Sequence, residues 1–386
     1  MTVLREARDA DLPALVEVIN RIFRGRDDQD PTMGEEFPVF LSRGNASQLQ
    51  IALEDGRIVS HVGVYRQTII TGGCRLPVAG LGAVGTLPEV RGKGLATQLV
   101  ERAVAAARAA GDVLMPVSGT RGLYRRQGGV PVEAALIATC DAEAAAALLK
   151  PETDWQVLRF TTADHMQAVA RLHEREAVRY AWPLEATRQA IDGFLAHGCG
   201  GLLAVDTSGE LQGWIFYRFA GPMAPGPPGQ IRVIDFCGDR RAVAHLCACL
   251  PKFHELTTLE ILGTLADKAL IDKLSAAKIE YEPRVLTGTW SVLNAQRLFA
   301  LCADLLAERL TAAELAALSV TDEGGTVGFR FGDQQWDVED RALLARICLD
   351  PRRDWIDECP RGAHQVADVL LRAMPLDLPD YGVCYV

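Results

Sequence analysis

The chain has 386 residues, of which 49% are hydrophobic and 23% charged, and 50 acidic against 40 basic residues give a formal net charge of −10. This length exceeds the usual size of one hydrophobic core and predicts two or three domains. The acidic balance argues against broad nucleic-acid binding, which needs a basic face, and is compatible with a cationic ligand such as an amine.

The N-terminal residues and the scattered cysteines argue against further classes. The start MTVLREARD lacks the apolar region of a signal peptide, and no apolar run reaches the roughly 18 residues that span a bilayer. We therefore expect a cytoplasmic protein with no membrane span. Cys247 and Cys249 form a close pair, but no second pair or nearby histidine completes a zinc set, so we expect free thiols and no metal.

The first 140 residues alternate between strand and helix patterns. Asp9 or Asp11 is placed to cap the first helix, and the polar stretch 24–36 is expected to be a loop or a short helix. The predicted elements are a strand at 3–5, a helix at 12–22, a hairpin of 48–53 with 58–70, a strand at 77–87, a helix at 92–110, a strand at 113–117, a short helix at 122–126 and a strand at 130–140.

A second series of elements begins near Trp155 and repeats the order of the first, strand-helix-helix-hairpin-strand-helix, through residue 253. From about Arg284 the pattern changes to helices at 293–305 and 312–318, a hairpin of 326–331 with 334–338, and helices at 341–347 and 363–373. The fold class is therefore α/β with α+β character, and we expect three domains at 1–150, 151–285 and 286–386.

The segment Arg91-Gly92-Lys93-Gly94-Leu95-Ala96 lies between a predicted strand and a predicted helix. Gly92 and Gly94 let the backbone approach a diphosphate without a Cβ in the way. The N–H groups of the first helical turn have no intrahelical partners and point toward such an anion. Arg91 and Lys93 add positive charge. The segment therefore predicts an anion site at the start of the helix.

Two other phosphate-binding motifs do not fit. Residues 80–85 match G-x-G-x-x-G, but a second turn, Thr86-Leu87-Pro88, separates them from the helix that a dinucleotide fingerprint must open. A Walker A loop also fails, because Gly92-Lys93 has neither the earlier glycine nor a following Ser or Thr.

Residues 91–96 resemble the Q/R-x-x-G-x-G/A signature of the GNAT acetyltransferase superfamily, and the YRRQGG string at 124–129 is similar to the same fold. Two GNAT-like halves followed by about 100 residues resemble, more specifically, the enhanced intracellular survival (Eis) family. The resemblance implies a catalytic GNAT domain, a degenerate GNAT-like domain and a C-terminal domain similar to sterol carrier proteins. It covers 1–140 most fully, and rests on element order beyond 285.

The resemblance implies acetyl-CoA as cosubstrate and direct attack by the acceptor amine. Backbone groups of Val84, Gly85 and Thr86 would pair with the pantetheine arm, and one N–H would polarise the thioester carbonyl. The diphosphate would be held by the segment that starts at Arg91: Arg91, Gly92, Lys93, Gly94, Leu95, Ala96 and Thr97.

The resemblance also implies that two residues transfer protons. Tyr124 matches the tyrosine of the family's short helix after the fifth strand, and a phenol of pKa about 10 stays protonated and can donate to a leaving thiolate. The base would be the C-terminal carboxylate of Val386, although the family's terminal residue is usually aromatic. Packing alone is the alternative for Tyr124, and a closing strand is the alternative for the apolar residues 382–386.

The acceptor is expected to be a small polycation, such as an aminoglycoside or polyamine, or a lysine side chain. Acidic residues border the family's acceptor pocket, and here they fall on Asp27, Asp28, Asp30, Glu35 and Glu36; a solvated loop is the alternative. The resemblance also implies a homo-oligomer, often a hexamer. Two other functions stay open: a non-catalytic CoA-binding sensor or assembly protein, and lipid binding by the C-terminal domain.

Overall fold

The structure, a computed structural model, describes residues 2–25, 30–148, 154–221 and 226–384. They form two compact units. The first unit comprises the chain up to Glu133 together with Leu286–Leu378. The second comprises Ala134–Val285 and the segment that begins at Pro379. The division into three domains at 150 and 285 stays a prediction.

The first unit is built on a mixed sheet in which β4 and β5 are parallel and the other neighbours described here are antiparallel. The predicted helices and hairpin are present. The elements up to residue 133 are β1 (Thr2–Glu6), α1 (Leu12–Phe23), α2 (Met33–Glu36), β2 (Leu49–Glu54), β3 (Arg57–Thr71), β4 (Cys74–Thr86), α3 (Leu95–Ala109), β5 (Leu114–Val117) and α4 (Gly122–Arg125).

Helices α1 and α3 cover opposite faces of this sheet. The apolar face of α1, including Leu15 and Ile19, packs with Ile51 of β2 in one hydrophobic cluster. The inner face of α3, including Leu99, packs with the adjacent Ala52 in another cluster. Since successive strand residues point to opposite faces, the alternation in β2 places one helix on each side. The sheet is therefore packed on both of its faces.

The second unit repeats this plan, which confirms the predicted tandem arrangement. Its sheet has the order β13-β6-β12-β11-β10-β9-β7, with β11 and β12 parallel. Its elements are β6 (Ala135–Asp141), α5 (Ala142–Ala146), β7 (Gln156–Arg159), α6 (Thr162–His173), β8 (Arg179–Tyr180), α7 (Leu184–Ala196), β9 (Cys199–Val205), β10 (Leu211–Phe219), β11 (Gln230–Gly238), α8 (Arg240–Phe253), β12 (Thr258–Thr264), α9 (Lys268–Ala276) and β13 (Tyr281–Arg284).

The remaining elements belong to the first unit and include a small antiparallel sheet, β15-β16-β17. The predicted hairpin around Gly332 is present, and two strands, β14 and β15, were not predicted. The elements are β14 (Thr289–Val292), α10 (Ala295–Leu301), α11 (Ala303–Arg309), α12 (Ala312–Ala317), β15 (Leu318–Glu323), β16 (Thr326–Phe331), β17 (Gln334–Val338), α13 (Arg341–Leu349) and α14 (His364–Ala373).

The strand expected at 130–140 differs from the observed one. Val130 makes only an isolated bridge to Trp290, and β6 pairs with β12 and β13 in the second sheet. The neighbour of β5 in the first sheet is β14, which comes from residues 289–292. Strand pairing between distant segments leaves no local pattern, so the sequence did not indicate this exchange.

A search of the described helices found none that is long and apolar enough to cross a membrane.

Candidate active site

The first sheet opens at the end of β4. Strands β4 and β5 pair at Val78 with Leu114 and at Leu81 with Val117. β5 then ends, whereas β4 continues to Thr86. Among the described residues, 82–86 therefore have no strand neighbour on the β5 side. Backbone polar groups along this gap can bind a ligand.

A β-bulge redirects β4 inside this gap. The pairing of β3 with β4 shifts between His61 and Gly63, so Ala83 and Val84 together oppose the single residue Val62. Ala83 has φ 49°, in the left-handed region that residues other than glycine rarely adopt. The bulge thus lies among the residues predicted to contact the pantetheine arm.

Alternation along β4 determines which backbone groups face the gap. The N–H of Leu87 donates to the carbonyl of Val59 at 2.9 Å, so Leu87 faces β3. Two residues earlier, the groups of Gly85 face β3 as well, and those of Val84 and Thr86 face the opposite side. Of the three predicted residues, Val84 offers its N–H and carbonyl to the gap, and Thr86 offers its N–H, because its carbonyl is bonded by Arg91.

Gly85 has a packing role. A Cβ added at this position would lie 2.9 Å from two carbon atoms of the Ile22 side chain. The absence of a side chain therefore lets α1 approach β4 closely at the end of the gap.

The loop before α3 has the backbone conformation that an anion site requires. Gly92 and Gly94 have φ of 83° and 73°, and Gly94 is the N-cap of α3. The first intrahelical bond runs from the N–H of Gln98 to the carbonyl of Gly94 at 3.1 Å. The N–H groups of 95–97 therefore precede the helix's own hydrogen bonds. A Cβ at Gly92 would have no atom within 4 Å, so this face of the loop is open.

The two predicted cations are both engaged by the protein. The Arg91 Nε donates to the carbonyl of Thr86 at 3.1 Å. Lys93 Nζ lies 2.8 Å and 2.9 Å from the two carboxylate oxygens of Glu54, and this bond lowers the pKa of Glu54. Glu54 thus offsets the charge of Lys93, and the positive charge of the loop is smaller than the sequence indicated.

Tyr124 is buried on α4, just after the segment that leaves β5. A Cβ added at Gly119 would lie 2.7 Å from the Tyr124 ring and 3.5 Å from its hydroxyl oxygen, so the ring lies against that segment. Tyr124 shares a hydrophobic cluster with Val84 and Leu95. The predicted acid thus lies in the same core cluster as the gap strand and the first turn of α3.

The predicted acidic residues have different surroundings. Asp30 and Glu35 are exposed, whereas Glu36 accepts hydrogen bonds from Arg24 at 2.7 Å and from the hydroxyl of Thr32. The charge of Glu36 is therefore largely compensated. Asp27 and Asp28 lie outside the described residues.

The predicted base, Val386, also lies outside the described residues. The segment before it is held within the second unit: Tyr381 and Val383 are buried, and the Val383 N–H donates to the Asp235 carboxylate at 3.1 Å. Burial raises the pKa of Asp235 to about 7, and the nearby charges of Glu176 and Asp380 contribute to the shift.

Sequence reasoning missed two polar residues of β3 that contact the bulge. His61 Nδ1 lies 3.0 Å from the carbonyl of Ala83, and the Ser60 hydroxyl donates to the carbonyl of Gly85 at 2.9 Å. Both side chains are 0% exposed. The only sequence signal was the pair of polar residues inside the apolar run Ile58–Val64, because buried polar groups require specific partners.

The second sheet has a similar opening but a different start of helix. Strand β11 pairs with β12 only from Gln230 to Val233 and continues to Gly238. There the Gly238 N–H donates to the Glu176 carboxylate at 2.8 Å, and Arg240 binds the same carboxylate at 2.8 Å. An internal carboxylate thus occupies the position equivalent to the anion loop of the first unit.

Comparison with known proteins agrees with this geometry. Residues 3–129 match the family described as the acetyltransferase (GNAT) domain. No curated protein sequence matches the chain. The solved structures that share the fold over nearly the full length include the following three. A probable N-acyltransferase from Enterococcus faecalis V583 has a TM-score of 0.69 at 15% identity, covering 99% of this chain and 100% of the other.

The other two structures are similar to the same degree. A GCN5-related N-acetyltransferase from Anabaena variabilis has a TM-score of 0.67 at 12% identity, covering 97% of each chain. Eis1 from Mycobacterium abscessus has a TM-score of 0.66 at 16% identity, covering 98% of this chain and 99% of the other. The chain therefore has the fold of these proteins, and its residues 3–129 match the GNAT acetyltransferase domain.

Proposed function

We propose that this protein transfers an acetyl group from acetyl-CoA to a primary amine by direct attack in a ternary complex. The observation that supports it most is the opening of the first sheet at 82–86, followed by a glycine loop at the start of α3. The acceptor is a small polycation, such as an aminoglycoside or polyamine, or a lysine side chain.

In this proposal the pantetheine arm lies along Val84–Thr86 and the diphosphate binds at Gly92–Thr97. The gap-facing groups of Val84 and Thr86 support the first assignment, and the N–H groups at the start of α3 support the second. An N–H group in the gap polarises the thioester carbonyl and stabilises the oxyanion that forms when the amine attacks.

The amine nitrogen forms a bond to the thioester carbon, and the carbon–sulfur bond then breaks. The Tyr124 hydroxyl donates a proton to the departing thiolate, and the Val386 carboxylate accepts the proton that the ammonium loses. The position of Tyr124 in the core cluster of the gap supports the first role. The second role rests on the family resemblance; the described residues show only that the preceding segment is buried at Tyr381 and Val383.

Charge selects the acceptor in this proposal. Asp30 and Glu35 are exposed carboxylates, and Asp27 and Asp28 belong to the same acidic run. A polycationic amine is attracted to such a run. Glu36 contributes less because Arg24 compensates its charge.

The test is thiol release from acetyl-CoA in the presence of an amine panel that includes a polyamine, an aminoglycoside and a lysine peptide. We expect release with at least one amine. Absence of release with every amine, together with absence of CoA binding, contradicts the proposal.

The proton transfers are tested by Tyr124→Phe, with Tyr281→Phe in the second unit as control. We expect kcat to fall about 100-fold in Tyr124→Phe at unchanged CoA affinity. A chain extended by Gly-Ser beyond Val386 tests the base, and Val386→Ala, which keeps the carboxylate, is its control. Wild-type kcat in Tyr124→Phe or in the extended chain contradicts the corresponding role.

The family resemblance also leads us to propose a homo-oligomer, with six copies as the expected number. Light scattering on the purified protein measures its mass in solution. A monomer at micromolar concentration contradicts this part of the proposal.

A further inference from the structure

His61 is a buried, neutral imidazole within β3. Its side chain is 0% exposed, and burial lowers its pKa to about 4. Nδ1 lies 3.0 Å from the carbonyl oxygen of Ala83. Because a carbonyl oxygen can only accept, Nδ1 carries the hydrogen and donates it. Nε2 is buried and has no hydrogen-bond partner among the described residues, so the bond to Ala83 is made by Nδ1.

The hydrogen bond from His61 reaches the carbonyl of the bulged residue. Ala83 is the residue at which β4 departs from its ladder with β3, and a carbonyl released from the ladder needs another partner when it is buried. The left-handed φ of 49° at Ala83 is unfavourable for an L-residue. A fixed donor under the carbonyl offsets this cost and selects the bulged conformation.

A second bond holds the other side of the bulge. Ser60 Oγ donates to the carbonyl of Gly85 at 2.9 Å and lies 2.8 Å from Thr86 Oγ1. Since the Ser60 hydrogen is used for Gly85, the Thr86 hydroxyl donates to Ser60. Two neighbouring side chains of β3 therefore hold the residues on both sides of Val84.

We propose that His61 is a positioning residue for acyl transfer: by holding the Ala83 carbonyl, it keeps the bulge and aims the backbone groups of Val84 and Thr86 into the gap. This inference rests on the proposed role of those groups toward the thioester. His61 does not touch the reacting atoms in this assignment, and it acts on kcat through the backbone of β4.

The second unit provides a matched control. His173 is also buried, its Nε2 bonds to the carbonyl of Tyr180 at 2.8 Å, and burial lowers its pKa to about 4. Replacing His173 therefore removes the same kind of bond in the other unit. A purely structural role for His61 predicts similar effects for both replacements.

The experiment compares His61→Leu, His61→Asn and His173→Leu for kcat, CoA affinity and thermal stability. Asn places an amide donor near the position of Nδ1, whereas Leu fills the space without a donor. We expect kcat to fall about 10- to 100-fold in His61→Leu with CoA affinity nearly unchanged, since small misplacements of reacting groups have effects of this size. We expect His61→Asn to restore most of kcat, and His173→Leu to lower stability only.

A double variant keeps the test informative if His61→Leu folds poorly. Glycine adopts a left-handed φ without strain, so adding Ala83→Gly to His61→Leu should recover folding and part of kcat. Amide exchange of the peptide 80–87 reports the bulge without turnover, and we expect faster exchange in His61→Leu. If His61→Leu has the kcat or the amide exchange of the wild type, the role of His61 is overturned. If the wild-type protein is inactive but amide exchange is faster in His61→Leu, the proposed function is overturned instead.

Discussion

Gly92 is a left-handed glycine within the loop that is proposed to bind the diphosphate. Its φ is 83°, and a Cβ there would meet no protein atom within 4 Å. The same is true of Gly73, which has φ 76° in the turn between β3 and β4. A substitution at either position would strain the backbone. Only the side chain added at Gly92 would lie where the diphosphate is proposed to bind.

We predict that Gly92→Ala weakens CoA binding at least about tenfold, because the methyl group and the strained loop both keep the diphosphate from the first turn of α3. Gly73→Ala should lose a similar stability, about 1 kcal/mol, with CoA affinity unchanged. Isothermal titration and thermal unfolding of both variants check this. Equal CoA affinities in the two variants would show that the loop does not contact the ligand.

The raised pKa of Asp235 leads us to predict that the free energy of unfolding depends on pH. Its pKa is about 7 in the folded protein against an ordinary value of 3.8, so the folded state binds the proton more tightly. The free energy by which this proton stabilises the folded state is fully present below about pH 4 and is lost as the pH rises toward 7. Asp235→Asn should remove this loss, which is on the order of 4 kcal/mol between pH 4 and 7.

Urea unfolding at pH 5, 6, 7 and 8 measures this effect. Glu260→Gln is the control, because Glu260 lies in the neighbouring strand and is paired with Arg232. The same pH slope in wild type and Asp235→Asn contradicts the assignment.

At the scale of elements, α3 and α8 occupy equivalent places in the two sheets but begin differently. Helix α3 is preceded by Gly94 in a left-handed conformation. Helix α8 is capped by the side chain of Asp239, and the N–H of Gly238 before it is bonded to Glu176. A carboxylate at this position repels a phosphate and already uses the donor that a phosphate would need.

We therefore predict that each chain binds one molecule of CoA. Isothermal titration should give a stoichiometry of one, and Gly92→Ala should weaken all of the binding. Two sites per chain, or a second site that persists in Gly92→Ala, would contradict the closure of α8 by Glu176.

The two sequence repeats were recognisable at this scale because hydrophobic periodicity is local. The hairpin around Asp55-Gly56 and the helix after Gly94 were predicted within a few residues of their observed bounds. Strand β15 was missed because it is only half-buried and its alternating residues Leu318–Glu323 resemble an exposed segment.

At the scale of the whole molecule, the first unit depends on residues far along the chain. Strand β14 pairs with β5, and its Trp290 is 0% exposed. Without β14, β5 would present an unpaired edge next to the gap, and the core around Trp290 would be lost.

We predict that a chain ending at residue 285 aggregates or loses cooperative unfolding, whereas a chain ending at 378, which retains β14, folds. Circular dichroism, thermal unfolding and light scattering of the two truncations check this. A monodisperse, cooperatively unfolding chain 1–285 would show that β14 is dispensable for the first unit.

The sequence by itself determined the local part of this protein: the glycine loop at 91–94, the helix that follows it, and the repeat of the strand and helix order. Glycine positions and helix periodicity are written in neighbouring residues, so they are readable without a structure. The tertiary structure alone decided the contacts that join distant segments, namely His61 with Ala83, Lys93 with Glu54, Glu176 with Gly238, and β14 with β5. Such contacts depend on strand register and on which buried groups meet, and neither is encoded in a local pattern.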